Sequence, residues 1–227
     1  MTVTSGFGGC ESPAERKKQA TEALEQKYHE KFDIVSYEAP KLLEDYYTVT
    51  AYSLEYPDLL FKATLDENND SVMDSYVTKR LCNRMSEIIS KNLGTLEMDY
   101  YVFTDALLED TVLTDPEISV SEYMEENPGN KFMVYLFIEP QKGSVSNIME
   151  SLLHMMDGIT TVSGTVFFYL ADANLLEDIQ EYVSSQDDLY TDFDRMTEDA
   201  YIGSVKFEKG YFSLSETALK KMVGDQL

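Results

Sequence analysis

Tryptophan is absent from this chain, and only two histidines and two cysteines occur in its 227 residues. Each shortage removes a class of chemistry. Cys10 lies in a glycine-rich stretch and Cys82 inside a helical pattern, so the spacing offers neither a disulfide framework nor a zinc site. His29 and His154 stand in no metal-binding spacing such as H-E-x-x-H. At about 100° per residue, His29 falls opposite the Ala20–Leu24 stripe of its helix. His154 likewise falls opposite a stripe of Val145, Ile148, Met149, Leu152 and Met156, so both are expected to face solvent. No Ser-His or Cys-His nucleophile pair is built from these parts. Cys82 flanks an apolar helix face with no basic cluster to activate it and reads as a structural thiol. Long apolar runs are also missing, none approaching the ~18 residues that a bilayer-spanning helix requires. Gly6-Phe7-Gly8-Gly9 follows no strand and lacks the Lys-Ser/Thr of a phosphate loop, and no cofactor is implied anywhere.

Positive charge is the next shortage. Eighteen Lys and Arg face 42 Asp and Glu, for a net charge of −24. A surface this negative repels phosphate backbones and anionic lipid headgroups, which argues against nucleic-acid binding and leaves basic partners or divalent cations. Asp66-Glu67-Asn68-Asn69-Asp70-Ser71-Val72-Met73-Asp74 has the oxygen-rich start of a calcium loop. It fails at two places: Ser71 replaces the glycine of the sharp bend, and Val77 stands where a bidentate carboxylate belongs. It reads as a strand-to-helix loop whose last Asp or Ser caps the helix. Asp187, Asp188, Asp192, Asp194, Glu198 and Asp199 crowd the outer face of a pattern whose inner face is Leu189, Phe193 and Met196. A solvated face is the simpler reading than a glycosidase carboxylate pair. Met149, Met155 and Met156 fall at helical spacing on one core face.

What is present is the composition of a folded domain: 43% apolar and 12% aromatic, with 16 Tyr and 11 Phe. Tyrosine favours strands and wet surfaces, so a Tyr-rich sheet is expected. Ser12-Pro13-Ala14-Glu15 starts a helix that runs to about Lys31. Strands follow at Phe32–Tyr37, Tyr47–Ser53 and Leu60–Leu65, the last two joined by a turn at Glu55-Tyr56-Pro57-Asp58. A helix from Asp74 or Ser75 to Asn92–Gly94 buries Val77, Leu81, Met85, Ile88 and Ile89. Beyond a strand at Met98–Thr104 and a short helix at Ser119–Glu126, Asn127-Pro128-Gly129-Asn130 breaks the chain. The apolar run Phe132–Ile138 reads as a central strand covered on both faces. Helix Val145–Asp157, strand Gly164–Leu170, helix Asn174–Ser184 and an acidic helix Leu189–Asp199 come next. A hairpin at Ile202–Leu214, turning at Glu208-Lys209-Gly210, and a C-terminal helix close the chain. The expected class is α+β, with mixed or antiparallel sheets and helices packed mainly on one face. Residues 1–12 read as a flexible leader and 13–227 as a single compact domain, with 127–130 as the alternative boundary.

Small residues ending in Gly8-Gly9-Cys10, followed by a polar tether, resemble the lipobox of bacterial lipoproteins, with Phe7 where Leu is usual. The expectation is that Cys10 is lipidated after cleavage of a signal that starts upstream of Met1. The segments Gln26–Val35, Tyr47–Tyr52, Pro57–Ala63 and Asp74–Arg80 resemble uncharacterised lipobox-bearing envelope proteins of Gram-positive bacteria. In these a charged helix leads into a hairpin and a second helix. The resemblance covers under half the chain, implies exposure outside the membrane, and transfers no catalytic residue. The expected function is a non-catalytic, envelope-tethered binding protein for a protein or wall-associated partner. Two alternatives stay open: an extracellular hydrolase with a carboxylate or Ser/Thr site assembled from distant positions, and a cytosolic accessory protein that meets a basic partner.

Overall fold

The structure is a computed structural model that describes residues 12–42, 45–66, 71–94, 99–107, 113–139, 145–185 and 192–224. It is an α+β fold, in two compact units that divide between Ser75 and Tyr76. The Asn127–Asn130 break is no such boundary: it is the short link between a helix and a strand inside the second unit.

The first unit sets helix α1 (Pro13–Tyr28) beside a four-stranded antiparallel sheet, β1 (Phe32–Glu38), β2 (Tyr46–Ser53), β3 (Tyr56–Asp66) and β4 (Val72–Asp74), in sequential order. The helix starts where the sequence predicts. Ser12 and Glu15 form a reciprocal capping box with Pro13 in the first turn, and the Ser12 hydrogen bonds hold the Glu15 carboxyl below its ordinary pKa. It stops at His29, whose N–H closes the last helical bond to the Glu25 carbonyl and whose left-handed backbone (φ 59°) then turns the chain away. Ala20, Leu24 and Tyr28 are buried from the helix side, and alternate residues Tyr47, Val49, Ala51, Phe61, Ala63 and Leu65 from the strands.

Two lysines span the sheet. Lys17 donates to the Val35 carbonyl of β1, and Lys27 donates to the Val72 carbonyl of β4 at 3.0 Å. Asp74, one of the two residues expected to cap the following helix, instead ends β4 opposite Ala63. Its fully buried carboxylate accepts from Lys27 and from the Tyr28 hydroxyl, each at 2.7 Å. The expected turn at Glu55–Asp58 is also displaced. Strand β3 already begins at Tyr56, and the pairing register slips between Ala51 and Ser53, so Pro57 falls where the ladder is interrupted.

The second unit carries a five-stranded sheet in the order β5 (Tyr100–Leu107), β6 (Lys131–Ile138), β7 (Gly164–Leu170), β8 (Tyr201–Glu208), β9 (Tyr211–Phe212). Among the described strands only β6 and β7 run parallel, because α4 (Val145–His154) carries the chain back between them. The remaining helices are α2 (Tyr76–Leu93), α3 (Val120–Glu126), α5 (Ala173–Ser185), α6 (Asp192–Thr197) and α7 (Glu216–Gly224). Helices lie against both faces of this sheet. Thr104 of β5 bonds Ser86 Oγ of α2 at 2.6 Å, whereas its neighbour Phe103 meets Phe193 of α6. The cause is in β5–β7 themselves, where both alternating sets of side chains are apolar enough to need cover. In α2, Val77, Leu81, Met85 and Ile89 are buried as the stripe predicts, while Ile88 is 37% exposed at its margin.

The Lys27–Asp74–Tyr28 cluster generates a prediction. Asp74→Ala leaves a largely buried ammonium without its counter-charge and lowers stability by about 3 kcal/mol. Urea denaturation followed by circular dichroism checks this, and an unmoved transition would refute it.

Candidate functional site

Strands β5, β6 and β7 each carry two aromatic residues separated by one position: Tyr101 and Phe103, Tyr135 and Phe137, Phe167 and Tyr169. The two-residue period of a strand puts all six on one face. The register aligns them in two rows, Tyr101–Phe137–Tyr169–Tyr201 and Phe103–Tyr135–Phe167. Neighbouring rings stack at 4.7 Å (Phe103–Tyr135), 5.1 Å (Tyr135–Phe167) and 4.4 Å (Phe137–Tyr169).

Phe193 of α6 closes the layer edge-on. Its ring stands 5.4–6.2 Å from Phe103, Tyr135, Phe137 and Tyr169, at 75–88° to them. Edge-to-face geometry places the positive ring rim over the negative ring faces, worth about 0.5–1.5 kcal/mol per pair beyond burial. The remainder of α6 follows from its sequence: Thr197 bonds back to the Phe193 carbonyl, while Asp192 and Arg195 pair at 2.9 Å in solvent.

The layer reaches the surface at Tyr201, which is 46% exposed and 5.5 Å from Tyr169. Phe167, Tyr169 and Tyr201 floor a groove of about 660 Å³ whose wall is Asp194, Arg195 and Glu198. Burial pushes the Tyr169 phenol well above its ordinary pKa, and the charges of Tyr135, Tyr201 and Asp194 add to this. Burial alone pushes Tyr101 up to about 12. This groove is an aromatic platform with charged groups at its rim, an arrangement suited to holding a ligand.

Two further cavities belong to this unit. One, of about 770 Å³, lies at the opposite end of β7 and β8 and is lined by Lys131, Ser163, Thr165, Lys206, Lys209 and Tyr211 among others. The other, of about 710 Å³, is lined by Asp115, Glu117, Glu122 and Glu126. Glu117 there holds the buried Arg80 at 2.5 Å and Arg84 at 3.2 Å. Glu122 is held below its ordinary pKa by Ser119, the reverse of what a general acid needs.

The residues singled out from sequence do not converge. His29 ends α1, and exposed His154 pairs with Asp157 at 2.8 Å. Cys82 is buried on α2, where burial and then the charge of Asp105 push its thiol up. In the acidic loop Asp66–Asp74, residues 67–70 lie outside the described residues, and Asp74 is taken by Lys27 and Tyr28. Cys10, Asp187, Asp188 and Leu189 also lie outside them. Asp192, Asp194, Glu198 and Asp199 are exposed as expected, but Asp194 and Glu198 border the aromatic groove. Among the described residues, no group of three or more His, Cys, Asp or Glu is placed to hold a metal ion. Phe167, Tyr169 and Tyr201 escaped the sequence reading, although the paired aromatic spacing was their signal.

No protein-family model matches the chain, and neither does any curated sequence. Among solved structures, a DUF5037 family protein from Ruminococcus gnavus has the same fold, with a TM-score of 0.69. The alignment covers 91% of this chain and 98% of that one, at 16% identity. At that identity the likeness establishes the α+β architecture alone.

Two predictions follow from these environments. The folded state disfavours ionised Tyr101, so its contribution to stability is complete below the unfolded phenol value of about 10 and is lost as pH rises through about 12. In a spectrophotometric titration at alkaline pH, Tyr101→Phe should reduce the late phenolate phase, and an unchanged late phase would contradict this burial. In a Cys10→Ser chain, Cys82 should react with a thiol reagent only at the rate of unfolding; immediate reaction in buffer would show an accessible thiol.

Proposed function

We propose that this chain is a non-catalytic binding protein of the cell envelope. It is held at the extracytoplasmic face by a lipid on Cys10 and takes a protein or wall-associated partner in the groove floored by Phe167, Tyr169 and Tyr201. The observation that carries this reading is the emergence of a sealed aromatic layer at one open edge, where Tyr201 stands beside Asp194 and Glu198. Rings held by stacking lose little conformational freedom on binding, and they offer broad contact area next to charged groups. Two observations agree with binding over hydrolysis: Glu122 is shifted down, not up, and the Cys82 thiol is buried. The tether agrees with the lipobox resemblance at Gly8-Gly9-Cys10 and with the absence, among the described residues, of any helix long and apolar enough to cross a membrane.

The test pairs two measurements. Isolated cell walls should co-sediment with the protein, and Tyr201→Ala should weaken this at least tenfold with an unchanged circular dichroism spectrum. Equal co-sedimentation of the variant, or none by the native chain, would contradict the groove's role. Intact mass from the host membrane fraction, using a gene extended upstream of Met1, should show a diacylglyceryl-modified Cys10 as the first residue. An unmodified soluble chain would contradict the tether.

A further inference from the structure

The cavity at the far end of β7 and β8 has the opposite electrostatic character to the rest of the protein. In a chain of net charge −24, its described lining residues include three lysines and a single acid, Glu208. Several other cations are held by carboxylates, as in Lys27–Asp74, Lys31–Glu25, Arg80–Glu117 and Lys220–Glu216. Among the described residues, Lys131, Lys206 and Lys209 have no such ion pair.

Their placement is fixed by the sheet. The register sets Phe132 opposite Gly164 and Thr165 opposite Lys206, so Lys131, Ser163, Thr165 and Lys206 share one face at one end of the strands. Lys209 is brought to the same end by a two-residue hairpin turn. Its two residues, Lys209 and Gly210, both have positive φ (52° and 79°), the combination that matches the natural twist of a hairpin. The turn is anchored: the Lys209 N–H donates to Ser163 Oγ at 3.4 Å and the Gly210 N–H to the Val162 carbonyl at 3.1 Å. A side chain at residue 210 could not be accommodated, because its Cβ would lie 2.6 Å from the Ile159 carbonyl oxygen. Tyr211, 75% exposed, extends the rim with an aromatic surface.

We infer that this groove binds a ligand bearing phosphate groups. Lysine ammoniums act as point charges and suit phosphate, while planar carboxylates are best met by the guanidinium fork, and no arginine lines this groove. The hydroxyls of Ser163, Thr165 and Ser213 add donors for the remaining phosphate oxygens. At about 770 Å³ the groove has room for more than one phosphate, or for a phosphate on a larger body. The surrounding negative potential repels anions in general, which confines their capture to this end of the sheet. Its lining shares no residue with that of the aromatic groove, so the inference stands apart from the function proposed above.

Isothermal titration calorimetry with sodium tripolyphosphate tests it. The native chain should bind saturably and more weakly as salt rises. Lys131→Gln, Lys206→Gln and Lys209→Gln combined should lose at least tenfold in affinity, and the single Lys206→Glu should show a clear loss on its own. Removing equal charge elsewhere, with Lys79→Gln, Lys91→Gln and Lys221→Gln combined, should leave binding within twofold, as should Tyr201→Ala. Near-ultraviolet circular dichroism confirms that each variant is folded. No saturable binding by the native chain, or equal losses in the two lysine triples, would overturn the site. Citrate binding as tightly as tripolyphosphate would overturn the assignment to phosphate.

Discussion

The aromatic groove of the second unit depends on one contact: the ring of Phe193 set edge-on against four rings of the sheet. Helix α6 is only Asp192–Thr197, too short to hold itself together in water. Its position is set by this residue and by the buried Leu176, Ile179 and Ala200 around it. Because α6 also supplies Asp194, Arg195 and Glu198 to the groove wall, the geometry of the groove rests on the same ring. Structure and proposed recognition meet in one side chain.

The acidic composition sorts the surface. Most of the strong cation contacts are structural: Lys27 ties α1 to β4, and Arg80 and Arg84 pin Glu117 beside α2. With basic residues so outnumbered, three lysines around one cavity stand out against the acidic composition. The aromatic groove at one end of β7 and β8 and the lysine groove at the other are two chemically distinct openings on one sheet.

Much of the architecture was legible in the sequence. The capping box at Ser12–Glu15, the α2 stripe and the Phe132–Ile138 run with cover on both faces are local signals, and the structure contains each. The errors fell where tertiary contacts overrode local ones. Asp74 reads as a helix cap until Lys27 and Tyr28, both far away in sequence, claim its carboxylate. Pro57 reads as a turn because the register slip that accommodates it in β3 has no local signature. The aromatic groove was half legible, since the paired spacing in β5, β6 and β7 implies an aromatic face. That Phe193 would be the residue to close it depends on the packing of α5 and α6, which no periodicity carries. The lysine groove was hidden for a similar reason: Lys131 and Lys206 line one groove only because β7 pairs with β6 on one side and β8 on the other.

Hydrogen exchange on a Phe193→Ala variant tests the central claim most directly. Truncating this buried ring removes the edge-on contacts and leaves a cavity, at a cost of about 3 to 5 kcal/mol. The amides of α6 should lose their protection while those of α2 and β6 keep theirs against each other, showing that one ring seats the groove wall. If α6 stays as protected as in the native chain, the helix is held by something other than Phe193, and the account of the site is wrong.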